Sequence, residues 1–192
     1  MPEVAVKQLP DLLQRQPRLA WRRAGPAVLA DCPQPLRALL SETGSLTRAL
    51  REVLAGDLDI RLQQQSWHYL AGRTIQSPGR QYLLARRMGM HHQDERVMDA
   101  LSLLPASLLS GHGRSLRRLG NRALGDALFS GLSRTRRGRI DVAWDPQHWW
   151  RRSQLHTHGE AIFLIERFPL AFWRRFASQQ ASTRTEAFKP TR

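Results

Sequence analysis

The sequence lacks several features that would place it in a broad class of protein. Its single cysteine, Cys32, excludes an intramolecular disulfide and a zinc site built from cysteines. No apolar run approaches the roughly 18 residues of a membrane-spanning helix, since the longest, 161–165, is only as long as a strand. Residues 1–7 do not combine a basic stretch with an apolar one. We therefore expect no secretory signal, no membrane span and a soluble cytoplasmic protein.

Motifs for phosphate, nucleophile and metal chemistry are missing as well. Residues 111–113 lack the Lys-Ser/Thr of a phosphate-binding loop, and no Gly-x-Ser-x-Gly motif occurs. His91 and His92 point to opposite faces of a predicted strand, so they do not readily bind one ion together. His156 and His158 have no cysteine or carboxylate at ligand spacing. The sequence therefore predicts no metal site.

Arginine is what the sequence has in excess. The chain has 30 basic and 16 acidic residues, a net charge of +14 and a pI near 11.6, and all but Lys7 and Lys189 of the basic residues are arginine. The excess lies in short clusters at 114–118, 134–139, 151–152 and 174–175 rather than in one tail. Such clusters are typical of a solvated basic surface, of a surface that attracts a small anion, or of a nucleic-acid footprint. We favour the first two.

Hydrophobic periodicity predicts an α+β domain. Helical spacing of apolar residues predicts a helix over 45–55, with Ser45 as N-cap, and shorter helices at 35–40, 115–119 and 123–129. Alternation with a period of two predicts strands near 58–67, 81–91, 97–104, 140–144, 150–157 and 160–168. The hairpin connections indicate a single antiparallel sheet of about six strands with helices on one side.

One domain is expected between two arms. Residues 1–18 are rich in proline and glutamine and predict a loose N-terminal arm, and 176–192 predict a flexible C-terminal tail. The domain itself is expected to span residues 19–175.

Glu166 is the first candidate for a chemical role. It shares a predicted strand face with Ile162, Leu164 and Phe168. A carboxylate buried on such a face is protonated, paired or both, because an isolated buried charge costs several kcal/mol. The alternative is a glutamate at the end of a strand that reaches solvent.

Arg86 is the complementary candidate. It lies between Leu84 and Met88 on an otherwise apolar face. The alternatives are an arginine that extends to the surface, or the opposite face with Arg87 turned inward. An inward Arg86 near an inward Glu166 would form a dry pocket that binds a carboxylate at one end and offers a proton at the other.

Four blocks of the sequence together resemble the bacterial chorismate–pyruvate lyases. Residues 42–48 (Glu-Thr-Gly-Ser-Leu-Thr-Arg) resemble the family's segment of acidic, small, Ser, Met/Leu and Thr residues, and 82–86 resemble its strand that ends in a substrate-binding arginine. Residues 119–125 resemble its Leu-Gly-x-x-Pro-Leu-Gly turn. Residues 151–166 resemble its Arg-Arg-Ser-x-Leu hairpin, which is closed by a glutamate of the site. The resemblance covers about residues 20–173.

This resemblance implies a fold and an activity. It implies a chorismate lyase-like fold and an enzyme that eliminates pyruvate from chorismate to give 4-hydroxybenzoate for ubiquinone biosynthesis. It also implies that neither a metal nor an organic cofactor is needed. We expect a monomer that binds this small-molecule substrate and its product, and no nucleic acid.

The resemblance also implies roles for four residues. Arg86 would bind the ring carboxylate together with the backbone N–H of Leu124, and the main chain at Leu46 would close the pocket. Glu166 would face the ring oxygen. It would either donate a proton to the departing ether oxygen or only hydrogen-bond the hydroxyl. Arg86 and Glu166 are thus the candidate catalytic residues.

Three positions depart from the family pattern, and two other functions stay open. Ala123 replaces a proline, Leu101 replaces an arginine, and Pro169 comes one place early. The first alternative function is a non-catalytic module of the same fold that binds small aromatic acids. The second is a basic nucleic-acid-binding protein. A chorismate turnover assay distinguishes all three.

Overall fold

Alternating strands build one antiparallel sheet at the centre of the molecule. The computed structural model describes residues 11–15, 18–71, 80–129 and 135–187. The strands are β1 (Arg22–Arg23), β2 (Asp59–Ala71), β3 (Arg80–His92), β4 (Glu95–Pro105), β5 (Arg136–Arg137), β6 (Asp141–Trp144), β7 (His148–Thr157) and β8 (Glu160–Pro169). Their order is β1-β6-β7-β8-β4-β3-β2, and β5 pairs with β7 off this path.

This sheet confirms the α+β class and corrects the strand count. All six predicted strands are present, within a sheet of eight. The two that were not predicted, β1 and β5, have two residues each. Two residues are too few to show an alternating pattern, so the sequence gives no signal for them.

The helices predicted at 35–40, 45–55, 115–119 and 123–129 are present, together with others that were not predicted. They are α1 (Asp11–Arg15), α2 (Gln34–Ser41), α3 (Leu46–Val53), α4 (Ala106–Ser110), α5 (Leu124–Phe129) and α6 (Leu170–Ala187), with a 3-10 helix at Arg114–Arg118. The Ser45 Oγ accepts a hydrogen bond from the Arg48 N–H at 3.3 Å, which confirms the predicted N-cap of α3. After α3 the chain turns at Gly56, whose φ of +90° favours glycine.

Helices cover both faces of the sheet. On one face Leu36 of α2 and Leu50 of α3 pack in one core with Phe168 of β8. On the other face Leu12 of α1 packs in a second core with Ile165 of β8. The expectation of helices on one side is therefore wrong for α1.

Parts of both predicted arms belong to the fold. Leu12 and Leu13 are fully buried, so residues 11–15 are not part of a loose arm. A helix of five residues is too short to give a clear period, which is why the sequence did not reveal it. Helix α6 continues through Ala187 and so includes most of the expected tail. Residues 1–10, 16–17 and 188–192 lie outside the described part of the chain, and the domain limits stay a prediction.

The strand register places the candidate residues in two adjacent rows on one face of the sheet. One row contains, in order across β3, β4, β8 and β7, Met88, Ala100, Glu166 and Arg151. The next row contains Arg86, Ser102, Leu164 and Ser153. Since neighbouring strands are about 4.8 Å apart, the Cα atoms of Arg86 and Glu166 are separated by roughly 12 Å.

Candidate active site

A narrow cavity lies between this face of the sheet and the helices above it. Its volume is about 40 Å³. The strand residues that line it include Met88, Ala100, Ser102, Leu155, Leu164 and Glu166, and the helices contribute Leu46, Thr47, Leu124 and Gly125. One water molecule needs about 10–15 Å³ of such space, so the closed cavity holds only a few waters.

Small side chains on the middle strand make room for the cavity. Ala100 and Ser102 lie on β4, between β3 with its Arg86 and β8 with its Glu166. Both line the cavity. Large residues at these two positions would fill the space between the two candidate residues. The floor of the site is therefore set by side-chain size on β4.

The beginnings of two helices form the opposite wall. Leu46 is the first residue of α3 and Leu124 the first of α5, and both line the cavity. The first N–H groups of a helix have no acceptor within that helix and carry partial positive charge. This wall is therefore suited to an anionic group.

Gly125 permits the close approach of these two helices. A Cβ at this position would lie 3.0 Å from the Ser45 Oγ and 3.5 Å from the Thr47 Oγ1. The Arg51 Nη1 also lies 2.8 Å from the Asp126 Oδ2 and links α3 to α5. The glycine of the Leu-Gly segment thus has a packing role that is specific to this wall.

Arg86 is turned inward and fully buried. Its Nε donates to the Gln65 Oε1 at 3.0 Å, and its Nη2 donates to the Gly120 carbonyl at 2.7 Å. The same Nη2 lies 3.8 Å from the sulfur of Met88, a residue of the cavity wall. The alternatives of a surface-reaching Arg86 or an inward Arg87 in its place are therefore wrong.

The charge of Arg86 has no carboxylate partner in the described part of the chain. Its hydrogen bonds go to neutral oxygens of Gln65, Gly120 and Arg122. Burial lowers the pKa of Arg86, and no acidic neighbour opposes that shift. A buried cation next to a cavity is a strong binding site for a ligand carboxylate, since the ligand supplies the missing negative charge.

Glu166 is buried and paired. It is 5% exposed, and its Oε2 accepts a hydrogen bond from the Arg151 Nη1 at 3.0 Å. The alternative of a glutamate that reaches solvent is thus wrong. The Arg151 guanidinium thus orients the Glu166 carboxylate, whose Oε2 acts as a hydrogen-bond acceptor within the site.

Two arginines of the site were not identified from the sequence. Arg151 is fully buried, and its Nη2 donates to the Glu42 carbonyl. Arg137 of β5 lines the cavity and donates from its Nη1 to the Ser153 Oγ at 2.6 Å. Alternation along β7 could have placed Arg151 on the face of Glu166, but the two-residue β5 gives no such signal for Arg137.

The replacement of the family's arginine by Leu101 does not take a side chain away from the cavity. Leu101 is fully buried, but it lies on the other face of the sheet, in the core that contains Leu12. Ala123, the second departure, is buried in the turn before α5 and does line the cavity.

Several of the excess arginines form ion pairs with carboxylates of the same chain. Arg139 and Arg152 both contact Asp141, at 2.6 and 3.2 Å. Arg175 is paired with Glu95. The side chains of the 114–118 cluster remain exposed, except that of Leu116. The expectation that no nucleic acid binds this surface stays a prediction.

The described ranges contain no cluster of metal ligands and no membrane-spanning helix. There, no group of three or more His, Cys, Asp and Glu residues could hold a metal ion. None of the helices in those ranges is both long and apolar enough to cross a membrane.

Comparison with known proteins points to one family. The sequence model of the family described as chorismate lyase matches residues 17–177. The "Probable chorismate pyruvate-lyase" of Methylococcus capsulatus is 34% identical, over 66% of this chain and 89% of that protein. The "Probable chorismate pyruvate-lyase" of Alcanivorax borkumensis is 30% identical, over 83% of this chain and 79% of that protein. The "Chorismate pyruvate-lyase" of Pectobacterium atrosepticum is 28% identical, over 78% and 84%.

Similarity to solved structures is distant. The C-terminal domain of the histidine utilization repressor from Pseudomonas syringae has a TM-score of 0.45 and 7% identity, over 58% of this chain and 91% of that chain. A likeness of this degree has no bearing on function.

Proposed function

The chain belongs to the chorismate lyase family, and from that membership we propose that it eliminates pyruvate from chorismate and releases 4-hydroxybenzoate. Relatives named chorismate pyruvate-lyase that align over most of the chain support this activity. The observation that carries the proposal is Arg86. It is a fully buried cation, and its hydrogen bonds in the described part of the chain all go to neutral partners. It lies beside a cavity that Glu166 lines.

Substrate binding follows from the position of the charges. Arg86 binds the ring carboxylate, and the N–H groups at the start of α5, beginning with Leu124, add partial positive charge to the same wall. The main chain at Leu46 closes the cavity from α3. Ala100 and Ser102 leave the space over the sheet in which the ring lies, so the far end of the ring reaches Glu166.

The reaction is an elimination that makes the ring aromatic. The bond between ring carbon C3 and the ether oxygen breaks, and its electron pair leaves with enolpyruvate. Carbon C4 loses a proton, and a third double bond forms in the ring. Enolpyruvate takes up a proton at its methylene carbon and becomes pyruvate. Because aromatisation drives these steps, orientation of the substrate and transfer of one proton are the tasks left to the protein.

Of the two roles considered for Glu166, the ion pair supports that of an acceptor. The Arg151 Nη1 donates to the Glu166 Oε2, so this oxygen is an acceptor in the structure. We therefore assign Glu166 to accept a hydrogen bond from the C4 hydroxyl and to take the C4 proton. That proton then passes to enolpyruvate, which leaves Glu166 ionised for the next cycle.

The remaining expectations are part of the same proposal. The reaction uses no metal and no organic cofactor, since the proton acceptor and the charged groups come from the chain. We place 4-hydroxybenzoate in ubiquinone biosynthesis and the enzyme in the cytoplasm as a monomer, on the family resemblance alone.

A turnover assay tests the proposal. The purified protein is incubated with chorismate, pyruvate is measured with lactate dehydrogenase and NADH, and 4-hydroxybenzoate is measured by chromatography. Equal amounts of both products are expected, and Arg86→Gln serves as the inactive control. Binding of 4-hydroxybenzoate without any turnover would instead identify the non-catalytic module. Absence of both binding and turnover would refute the proposed function.

A further inference from the structure

Chorismate carries two carboxylates, and the proposed function accounts for only one of them. Arg86 binds the carboxylate on the ring, whereas the second lies on the enolpyruvyl side chain. Among the described residues that line the cavity, Arg137 is the one cation. We propose that Arg137 binds the enolpyruvyl carboxylate and so distinguishes the substrate from 4-hydroxybenzoate, an inference that rests on the proposed function.

The sheet register directs Arg137 toward the reacting groups. Arg137 is paired with Leu155 of β7, which is itself a residue of the cavity wall. Its Nη1 donates to Ser153, the residue two positions after Arg151. The guanidinium therefore lies beside the Arg151–Glu166 pair, at the end of the cavity opposite β3 and its Arg86. This is the end where the enolpyruvyl group lies if the ring carboxylate is at Arg86.

The hydrogen bonds of Arg137 leave its charge available for a ligand. In the described part of the chain they go to the Thr43 carbonyl at 3.3 Å, the Gly44 carbonyl at 3.0 Å and the Ser153 hydroxyl at 2.6 Å. All three acceptors are neutral. A guanidinium has five N–H donors, so others remain for a carboxylate.

The electrostatic surroundings of Arg137 agree with this assignment. Burial and, next in size, the charge of Arg151 lower the pKa of Arg137 to about 10, and the charges of Glu166 and Glu42 only partly oppose them. The cation is therefore less stable here than in water. A ligand carboxylate would compensate for both causes, because it brings a negative charge close to Arg137 and Arg151.

This position also suits the leaving group. When the C3–O bond breaks, negative charge develops on the enol oxygen, which is two bonds from the carbon of the side-chain carboxylate. A fixed cation beside that carboxylate stabilises the developing charge, and it does so without reorganising during the reaction. Arg137 is thus a binding residue for the substrate. Its loss should weaken the binding of chorismate more than that of 4-hydroxybenzoate.

The test compares ligands with one and two carboxylates by titration calorimetry. The probes are 4-hydroxybenzoate and 3-(1-carboxyvinyloxy)benzoate, a diacid whose ring is already aromatic and does not react. In Arg137→Gln we expect affinity for the diacid to fall roughly 10- to 100-fold, the loss of one charged hydrogen-bond pair, and affinity for 4-hydroxybenzoate to change less than about threefold. The kcat/KM for chorismate should fall with the diacid affinity.

Two further variants serve as controls. Arg136→Gln removes an exposed charge from the adjacent position of β5 and should change both affinities less than about twofold. Arg137→Lys retains a charge but loses the planar fork, so it should keep part of the preference for the diacid. Thermal melts of all variants report whether the fold is intact.

Two outcomes would overturn the assignment. Equal losses for both ligands in Arg137→Gln would show that Arg137 only supports the fold around Ser153 and Gly44. If Arg137→Gln does not fold, Arg137→Lys and the wild-type protein decide, with the diacid compared against its side-chain methyl ester. Equal affinity for acid and ester would then contradict the proposal. Because these titrations need no turnover, a failure of the lyase activity itself is recognised separately.

Discussion

Glu166 and Arg151 face each other directly across β8 and β7, with the Glu166 Oε2 3.0 Å from the Arg151 Nη1. Both side chains are buried. Either charge alone would be buried and uncompensated at this place in the sheet. Each group is therefore tolerated mainly because the other is present. The pair therefore links the stability of this part of the sheet to the orientation of the candidate catalytic carboxylate.

Loss of Arg151 should destabilise the protein. Arg151→Met leaves Glu166 buried without its partner, and removing one half of a buried pair costs about 3–5 kcal/mol of unfolding free energy. Urea unfolding measures this change. The double variant Arg151→Met/Glu166→Gln should recover part of the loss, and Arg48→Met, in an exposed pair with Glu52, should show little change. An equally small change in Arg151→Met would mean that the pair does not stabilise the fold.

Replacement of Glu166 should affect the chemical step more than binding. Glu166→Gln retains size and polarity but removes the proton acceptor, and kcat should fall about 10²- to 10⁴-fold. Affinity for 4-hydroxybenzoate should change much less, because the amide still hydrogen-bonds the hydroxyl. Stopped assays of kcat together with calorimetry separate the two. A kcat near that of the wild type would leave Glu166 with a positioning role.

The pH profile distinguishes the two roles of Glu166. If Glu166 accepts the C4 proton, kcat of the wild type should decrease toward acid pH as the carboxylate becomes protonated. If it donates a proton, kcat should decrease toward alkaline pH instead. In either case Glu166→Gln should lose the corresponding limb of the profile. We expect the acid limb, which follows from the proposed role of Glu166 as the acceptor of the C4 proton.

Loss of Arg86 should weaken the binding of both product and substrate. Arg86→Ala removes the charged hydrogen bonds to the ring carboxylate, with an expected cost of about 2–4 kcal/mol in affinity for 4-hydroxybenzoate. Arg87→Ala, on the opposite face of β3, is the matched control and should bind normally. If the folded Arg86→Ala variant bound 4-hydroxybenzoate as tightly as the wild type, Arg86 would not be part of the site.

A side chain at Gly125 should disturb the wall made by α3 and α5. In Gly125→Ala the new Cβ meets the Ser45 Oγ at 3.0 Å, and we expect destabilisation of about 1–3 kcal/mol and a loss of at least about tenfold in kcat/KM. Gly25→Ala, where a Cβ meets nothing within 4 Å, is the control.

Removal of the Ser45 side chain should reverse the loss of kcat/KM that Gly125→Ala causes. A glycine N-cap costs only a few tenths of a kcal/mol relative to serine. The double variant Gly125→Ala/Ser45→Gly should therefore regain most of the lost kcat/KM. If it does not, the defect of Gly125→Ala arises from something other than the contact with Ser45.

His91 should make stability depend on pH. Burial, with smaller contributions from Arg61 and Arg96, lowers the pKa of His91 from 6.5, against the opposing charges of Asp59 and Asp99. The unfolded chain then binds a proton more readily than the folded protein, so this contribution to stability is lost as pH falls below about 6.5. The free energy of unfolding, measured with urea at pH 7.5 and 5.5, should differ less between the two pH values in His91→Gln than in the wild type. An unchanged difference would exclude His91 as its source.

Period-two patterning placed Arg86 and Glu166 on apolar strand faces, because alternation assigns every strand residue to a face, but only the folded chain showed that both side chains turn inward. Leu46 and Leu124 could be identified only through the family resemblance, since nothing in local composition distinguishes the first residue of a helix that binds a ligand. Their roles, like those of Arg86 and Glu166, stay predictions until the variants are measured.

Other parts of the site depend on contacts between distant segments. Arg151 belongs to a basic cluster in the sequence, and only the register of β7 against β8 shows that it faces Glu166. Arg137 lies on a strand of two residues, whose pairing with β7 no local pattern predicts. The burial of Leu12 against Ile165 is equally a product of the folded chain.

Backbone carbonyls accept hydrogen bonds from all three arginines in and around the site. Arg86 donates to the Gly120 carbonyl, Arg137 to that of Gly44 and Arg151 to that of Glu42. These carbonyls provide oxygens of the kind that a ligand would bring, so the protein itself partly solvates the three charges. A neutral aromatic compound offers no charge that competes with them. A carboxylate does, and the site should therefore discriminate against uncharged molecules before any of them reaches Glu166.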